Sequence, residues 1–145
     1  MSTLNKAIQI ASQAHSGQKD KYGRPFILHP LRMLTQMETE PEMIVAALHD
    51  VVEKSEKTLA DLKKAGFSPD ILEAVECLTK RENEPYLEYI RRSRANPLAK
   101  RVKEADLQDH LDSLKKYTLT ELSPNRMTQY AEALEELGKD KSESQ

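Results

Sequence analysis

The chain has 145 residues, 38% hydrophobic and 32% charged, with a formal net charge of −2 at pH 7. That length suits one domain with its own core, and the charge balance gives no general pull toward nucleic acid or an anionic membrane. A single cysteine, Cys77, excludes an internal disulfide framework and suits a reducing, cytoplasmic setting, while neither a secretory leader nor a membrane span is read from the chain.

Leu4, Ala7, Ile8, Ala11 and Ala14 recur at helical spacing and predict a first helix that stops near Gly17. Gln18 to Pro25 reads as a polar loop in which Lys19, Lys21 and Arg24 can face solvent or hold an anion. Phe26 to Leu31 leads into a second helix whose first turn accommodates Pro30, with His29 at its entrance. Pro41 and Glu42 open a third helix, read as running on through Ala46-Ala47-Leu48-His49-Asp50-Val51-Val52-Glu53. In that register Met43, Ala47 and Val51 form one stripe, His49 and Glu53 another, and Asp50 projects between them. A buried carboxylate at such a place needs a metal or a cation.

Thr58 with Asp61 approximates a capping box for a short helix through Leu59 and Leu62 that stops at Gly66. Ser68-Pro69 begins another, carrying Ile71, Leu72, Val75 and Leu78. Pro85 begins the next, and Arg91, Arg92 and Arg94 near its end suit the negative pole of the helix. Asn96-Pro97 starts a long helix with Leu98, Val102 and Ala105 on one stripe; Asp106 falls at the margin of the buried face and His110 one turn on. Ser123 and Pro124 open a last helix through Met127, Tyr130, Ala131, Leu134 and Leu137, ended by Gly138. No strand alternates convincingly, so the expected fold is all-α: a compact single helical bundle of about seven or eight helices over residues 1–138, followed by a polar tail, 139–145.

The residues able to carry chemistry are His29, the pair His49-Asp50, and Asp106, drawn from three separate helices. A mixed set of imidazoles and carboxylates suits Mn²⁺, Fe²⁺ or Zn²⁺ better than Ca²⁺. With four protein donors, such a metal keeps positions open for water and substrate, as catalytic sites require.

The order His, His-Asp, Asp resembles that of the HD-domain metal-dependent phosphohydrolases. The surroundings narrow the resemblance. Ala14-His15-Ser16-Gly17-Gln18, Gly23-Arg24-Pro25-Phe26-Ile27-Leu28-His29-Pro30-Leu31, Ala46 to Glu53, Leu78-Thr79-Lys80 and Val102 to Leu107 are similar to the hydrolase domain of RelA/SpoT homologues. In length the chain resembles the small single-domain alarmone hydrolases of that group, the Mesh-type enzymes. The resemblance implies a single metal, usually Mn²⁺, and removal of the 3′-pyrophosphate from guanosine tetra- or pentaphosphate. It makes His29, His49, Asp50 and Asp106 the expected metal ligands and Glu53 the acid beside the attacking water. Lys21, Arg126 and Tyr130 become expected nucleotide contacts, with Lys80 and Lys54 as further cations for the phosphates.

Four positions depart from the family pattern. Lys54 stands where a second acid is usual, Asp20 where a base is usual, His110 where an asparagine is usual, and Glu104 where an apolar residue is usual. Lys54, an expected catalytic position beside Glu53, would add positive charge near a substrate phosphate and cripple or redirect pyrophosphate hydrolysis, and His110 would touch the sugar or act as a further ligand or acid. Two alternatives stay open: a phosphohydrolase of another nucleotide, and a catalytically impaired module that binds nucleotide or metal. The expected partner is a small-molecule nucleotide, with no nucleic acid and no membrane; a homodimer is compatible with the sequence.

Overall fold

Hydroxyl caps set where several helices begin. Thr3 accepts from the Lys6 amide and Ser68 from the Ile71 amide. Thr39 with Glu42, and Thr58 with Asp61, form complete capping boxes, so two orphan amides are satisfied reciprocally at each start. The computed structural model describes residues 3–117 and 124–139, the side chains of 124–127 excepted. Among these residues the elements are α1 (Leu4–Ala14), α2 (Leu28–Leu34), α3 (Glu40–Leu48), α4 (Val51–Lys54), α5 (Leu59–Lys64), α6 (Pro69–Cys77), α7 (Tyr86–Arg94), α8 (Pro97–Tyr117) and α9 (Pro124–Leu137). The Ser123 cap and the tail beyond residue 139 lie outside the described residues. With α4 counted as the continuation of α3 there are eight helices, within the expected range, and the fold is all-helical. The sole β-type pairing among the described residues is an isolated bridge between Lys19 and Pro25 that closes the polar loop.

α3 lies at the centre. Its residues Ile44 to Leu48 are consecutively buried, so it is apolar on every side and α1, α2, α6 and α8 all pack on it. This larger core includes Ala7 and Ile10 of α1, Met33 of α2, Val45 and Leu48 of α3, Val75 of α6, and Ala99 and Val102 of α8. Each of the large side chains contributes about 1.5–3 kcal/mol by burial. A smaller cluster joins Tyr89 and Ile90 of α7, Leu107 of α8, and Ala133 and Leu137 of α9. α8 therefore passes through both clusters.

The arginines at the end of α7 do more than complement its dipole. Arg92 donates to both oxygens of Glu84, at 3.0 and 2.8 Å, and to the carbonyls of Glu76 and Thr79, each at 2.9 Å. Arg91 and Arg94 both reach Glu136 on α9. The Arg92 fork, with the Arg81 amide, holds the Glu84 carboxyl at about 2. In the unfolded chain that carboxyl titrates near 4.3. A depressed carboxylate pKa contributes stability above the unfolded value and loses it as pH falls toward the folded one. Thermal melts of wild type and Glu84→Gln are expected to differ at pH 7, the variant melting lower, and to converge between about pH 5 and pH 2.

Candidate functional site

His49 and Asp50 do not lie inside one continuous helix. His49 is the last residue before the break, and Asp50, at φ −105° and ψ 0°, caps the start of α4. The Ala46 carbonyl, which in an uninterrupted helix serves the amide four residues on, accepts the His49 Nδ1–H at 2.6 Å. Ser55 Oγ donates to the Val51 carbonyl at 2.6 Å as α4 ends. Successive side chains of a regular helix diverge by about 100°. The break instead turns both neighbours to one centre, with His49 Nε2 3.0 Å from Asp50 Oδ2.

His29, at the second position of α2, and Asp106, midway along α8, meet them there. His29 Nε2 is 2.9 Å from Asp106 Oδ1 and 3.9 Å from Asp50 Oδ2, and His49 Nε2 is 3.7 Å from Asp106 Oδ1. One donor atom each from His29, His49 and Asp106 lies within 4.8 Å of the others, and all three residues are buried. Asp50 is not one of these three, but its Oδ2 lies beside both imidazoles, nearer to His49 than to His29.

The donor set fits a divalent cation. His49 Nε2 is buried and makes no hydrogen bond, although it points into the cluster. Burial alone would lower the His49 pKa; Asp50 and Asp106 outweigh it and raise it to about 10. His29 is raised too, its burial overcome by Asp106 and Asp109. Burial opposes ionisation of Asp50, yet His49 holds its carboxyl at about 2. Two ionised carboxylates facing two imidazoles create a buried demand for positive charge, which a metal with N and O preference satisfies.

Asp106 lies inside the protein, not at the margin of the buried face as expected from spacing. The reason is Lys103, one turn earlier and itself buried, whose ammonium donates to Asp106 Oδ2 at 2.8 Å and to Tyr89 Oη at 3.1 Å. The Tyr89 hydroxyl in turn donates to the Leu78 carbonyl at 2.8 Å. Burial penalises the Asp106 carboxylate, but Lys103, His110 and His29 hold its pKa well below the usual range. Asp109, one turn after Asp106, was also missed: its Oδ2 is 2.6 Å from His29 Nδ1, and Arg32 clamps it. The spacing of Lys103, Asp106 and Asp109, three apart on one helix face, was the available signal.

Two clefts open beside the centre. A 250 Å³ cleft is lined by Asp50, Glu53, Lys54, Lys80, Tyr86, Lys103, Asp106 and His110 among others. In it Glu53 Oε1 accepts the Lys80 amide at 3.1 Å. A 440 Å³ cleft on the other side of His110 includes Lys21, Phe26, Arg32, Lys54 and Tyr130. His110 joins the two, with Nε2 3.1 Å from Asp106 Oδ1 and its ring stacked on Tyr130 at 5.6 Å between centroids. Lys54 also borders both, its ammonium 5.1 Å from the centre of the Phe26 ring. A further hollow of 790 Å³ is lined by α4 and the segment after it, and shares only Glu53 and Lys54 with the two clefts. Thus Glu53, Lys54, Lys80, His110, Lys21 and Tyr130 all border the centre or its clefts, whereas the Arg126 side chain lies outside the described residues. Asp20 has a structural part: its Oδ1 accepts the Tyr22 and Arg24 amides and shapes the turn of the polar loop.

An all-helical fold in which α2 offers His, the α3–α4 joint offers His-Asp and α8 offers Asp is the arrangement expected of an HD-type domain. No protein-family model matches the chain. It is 32% identical over 124 residues to a guanosine-3′,5′-bis(diphosphate) 3′-pyrophosphohydrolase of Aquifex aeolicus, covering 77% of this chain and 17% of that protein. It is 36% identical over 81 residues to the bifunctional (p)ppGpp synthase/hydrolase SpoT of Escherichia coli strain K12, covering 53% of this chain and 11% of that protein. The chain thus spans less than a fifth of the length of these curated relatives. A solved structure of a metazoan ortholog of SpoT that hydrolyzes ppGpp superposes with a TM-score of 0.74 at 26% identity, covering 95% of this chain and 86% of that one. The chain is thus similar in sequence to (p)ppGpp pyrophosphohydrolases and in fold to a SpoT ortholog, which is consistent with an HD-type hydrolase domain.

Proposed function

We propose that the protein hydrolyses the 3′-pyrophosphate bond of guanosine tetra- or pentaphosphate, using a divalent metal, Mn²⁺, held by His29, His49, Asp50 and Asp106. The observation that carries this reading is the convergence of His29, His49 and Asp106 within 4.8 Å in a chain similar to a curated pyrophosphohydrolase. When bound, the metal supplies Lewis acidity toward a phosphoryl group and toward water. The remaining work falls to side chains of the clefts. Glu53, fixed at one oxygen by the Lys80 amide, has its other oxygen available to orient a water and accept its proton. Lys21, Lys54 and Lys80 offset phosphate charge. The stacked rings of His110 and Tyr130 provide a flat wall for the nucleoside. Arg126 keeps its expected role as a nucleotide contact. We place this chemistry in the cytoplasm; no helix among the described residues is long and apolar enough to cross a membrane.

Lys54 favours a second reading, in which the substrate is another phosphorylated nucleotide. A cation bordering both clefts attracts phosphate where a family acid would repel it. The test is phosphate and pyrophosphate release by the Mn²⁺-loaded protein across a nucleotide panel. The expected result is pyrophosphate from guanosine tetraphosphate, with Lys54→Asp changing kcat on that substrate by about tenfold or more. Turnover of a different nucleotide alone would establish the second reading. Metal binding with no turnover on any nucleotide would leave a binding module and overturn both.

A further inference from the structure

His29 sits between two carboxylates of the same helix. Asp106 faces its Nε2 edge at 2.9 Å, and Asp109, one turn on along α8, faces its Nδ1 edge at 2.6 Å. The two ring nitrogens point in divergent directions, so Asp109 stands behind the ring, outside the donor cluster of His29, His49 and Asp106. Asp109 is itself held. Arg32 Nε donates to its Oδ1 at 2.8 Å and the Arg32 terminal nitrogen to its Oδ2 at 2.9 Å, a two-pronged grip on a carboxylate that is 5% exposed. Arg32 is on α2, one turn after His29, so a single helix presents both the ring and the cation that fixes the ring's partner.

We infer that Asp109, clamped by Arg32, is a positioning residue for the metal centre: it fixes the ring of His29 and its Nδ1–H so that Nε2 is delivered to the cation. This rests on the reading that the centre holds a divalent cation. A carboxylate hydrogen-bonded to the far nitrogen of a ligating imidazole sets the tautomer, fixes the ring plane and makes the near nitrogen more basic. A brace needed for packing alone is better served by an apolar residue, because burying a charged pair costs desolvation that well-packed side chains avoid. The pairing here keeps a buried carboxylate with one oxygen held by Arg32 and the other shared between Arg32 and His29. Arg32 acts only through Asp109, since it reaches neither His29 nor the donor cluster by any contact among the described residues.

Calorimetric titration of the full chain with Mn²⁺, alongside thermal melts, tests this in wild type, Asp109→Asn, Arg32→Met and the double variant. Asp109→Asn is expected to weaken Mn²⁺ binding by about 10–100-fold. Arg32→Met is expected to weaken it less, and the double variant to bind like Asp109→Asn, because the two residues form one relay. Wild-type affinity in Asp109→Asn with only a lowered melting temperature would overturn the inference, as would losses that add in the double variant. If Asp109→Asn fails to fold, Arg32→Met decides: unchanged affinity overturns the relay and reduced affinity upholds it. Absence of Mn²⁺ binding by the wild-type protein would overturn the metal reading itself and this inference with it. Unchanged binding in the variants overturns this inference alone.

Discussion

Asp106→Ala is expected to reduce pyrophosphate release by about 10³-fold or more, the equivalent of roughly 4 kcal/mol of transition-state stabilisation. It is also expected to lower folding stability by about 3–5 kcal/mol, because it strands a buried cation. The two losses have different origins. Asp106 Oδ1 faces His29, His49 and His110, whereas Oδ2 neutralises Lys103. Lys103 is buried and, once Asp106 is gone, retains only the Tyr89 hydroxyl and ring as partners among the described residues. A second change, Lys103→Met in the Asp106→Ala background, removes the stranded charge and should restore much of the stability while restoring none of the activity. Urea unfolding at pH 7 and a phosphate-release assay on the same preparations separate these effects. Equal stability of Asp106→Ala and wild type would show that Lys103 finds another partner.

Glu53→Gln is expected to lower kcat by about 10²–10⁴-fold while leaving KM within a few-fold of wild type. The glutamine carbonyl still accepts the Lys80 amide that fixes Glu53, so the side chain keeps its place and loses only its capacity to take a proton. Because Glu53 is not among the clustered donors, Mn²⁺ affinity should not change. Steady-state kinetics with guanosine tetraphosphate, together with Mn²⁺ titration, decide the matter. A fall in metal affinity would make Glu53 a ligand, and an unchanged kcat would remove it from the chemistry.

Much of the helical frame was legible in the sequence because its signals are local. Caps at Thr58 and Ser68, prolines at helix starts and the glycine after α5 act over a few residues, and each marks a boundary that the structure keeps. The candidate ligands His29, His49, Asp50 and Asp106 were legible as a group, since ligand-type side chains beside apolar stripes stand out, and the structure brings His29, His49 and Asp106 within 4.8 Å with Asp50 beside them. The break at His49-Asp50 was not, because apolar periodicity runs through it; the turn is imposed by a buried ring that must bond to backbone and face the centre at once. Arg91 and Arg94 read as dipole partners because their true acceptor, Glu136, is more than 40 residues away. Lys103 and Asp109 were not singled out at all, because their partners Tyr89, His29 and Arg32 lie on other helices. Periodicity reports which face is covered, and it cannot report that a covered face holds a charge paired across helices. Asp20 shows the converse: an apparent defect in a basic loop is the group that folds the loop.

α8 runs through both apolar clusters, and the polar thread His29–Asp106–Lys103–Tyr89 crosses the seam between them. His29 rides on a helix of the larger cluster, and Tyr89 belongs to the smaller one. The seam is therefore stitched by charge rather than by oil. Opening of the small cluster takes Tyr89 away from Lys103, and the disturbance reaches Asp106 through a single ammonium. A cation gripping Asp106 resists that opening by mass action. Should the small cluster open first, the domain would lose its centre while the larger cluster is still folded, so local opening and the charge at the centre are tied through the same few atoms.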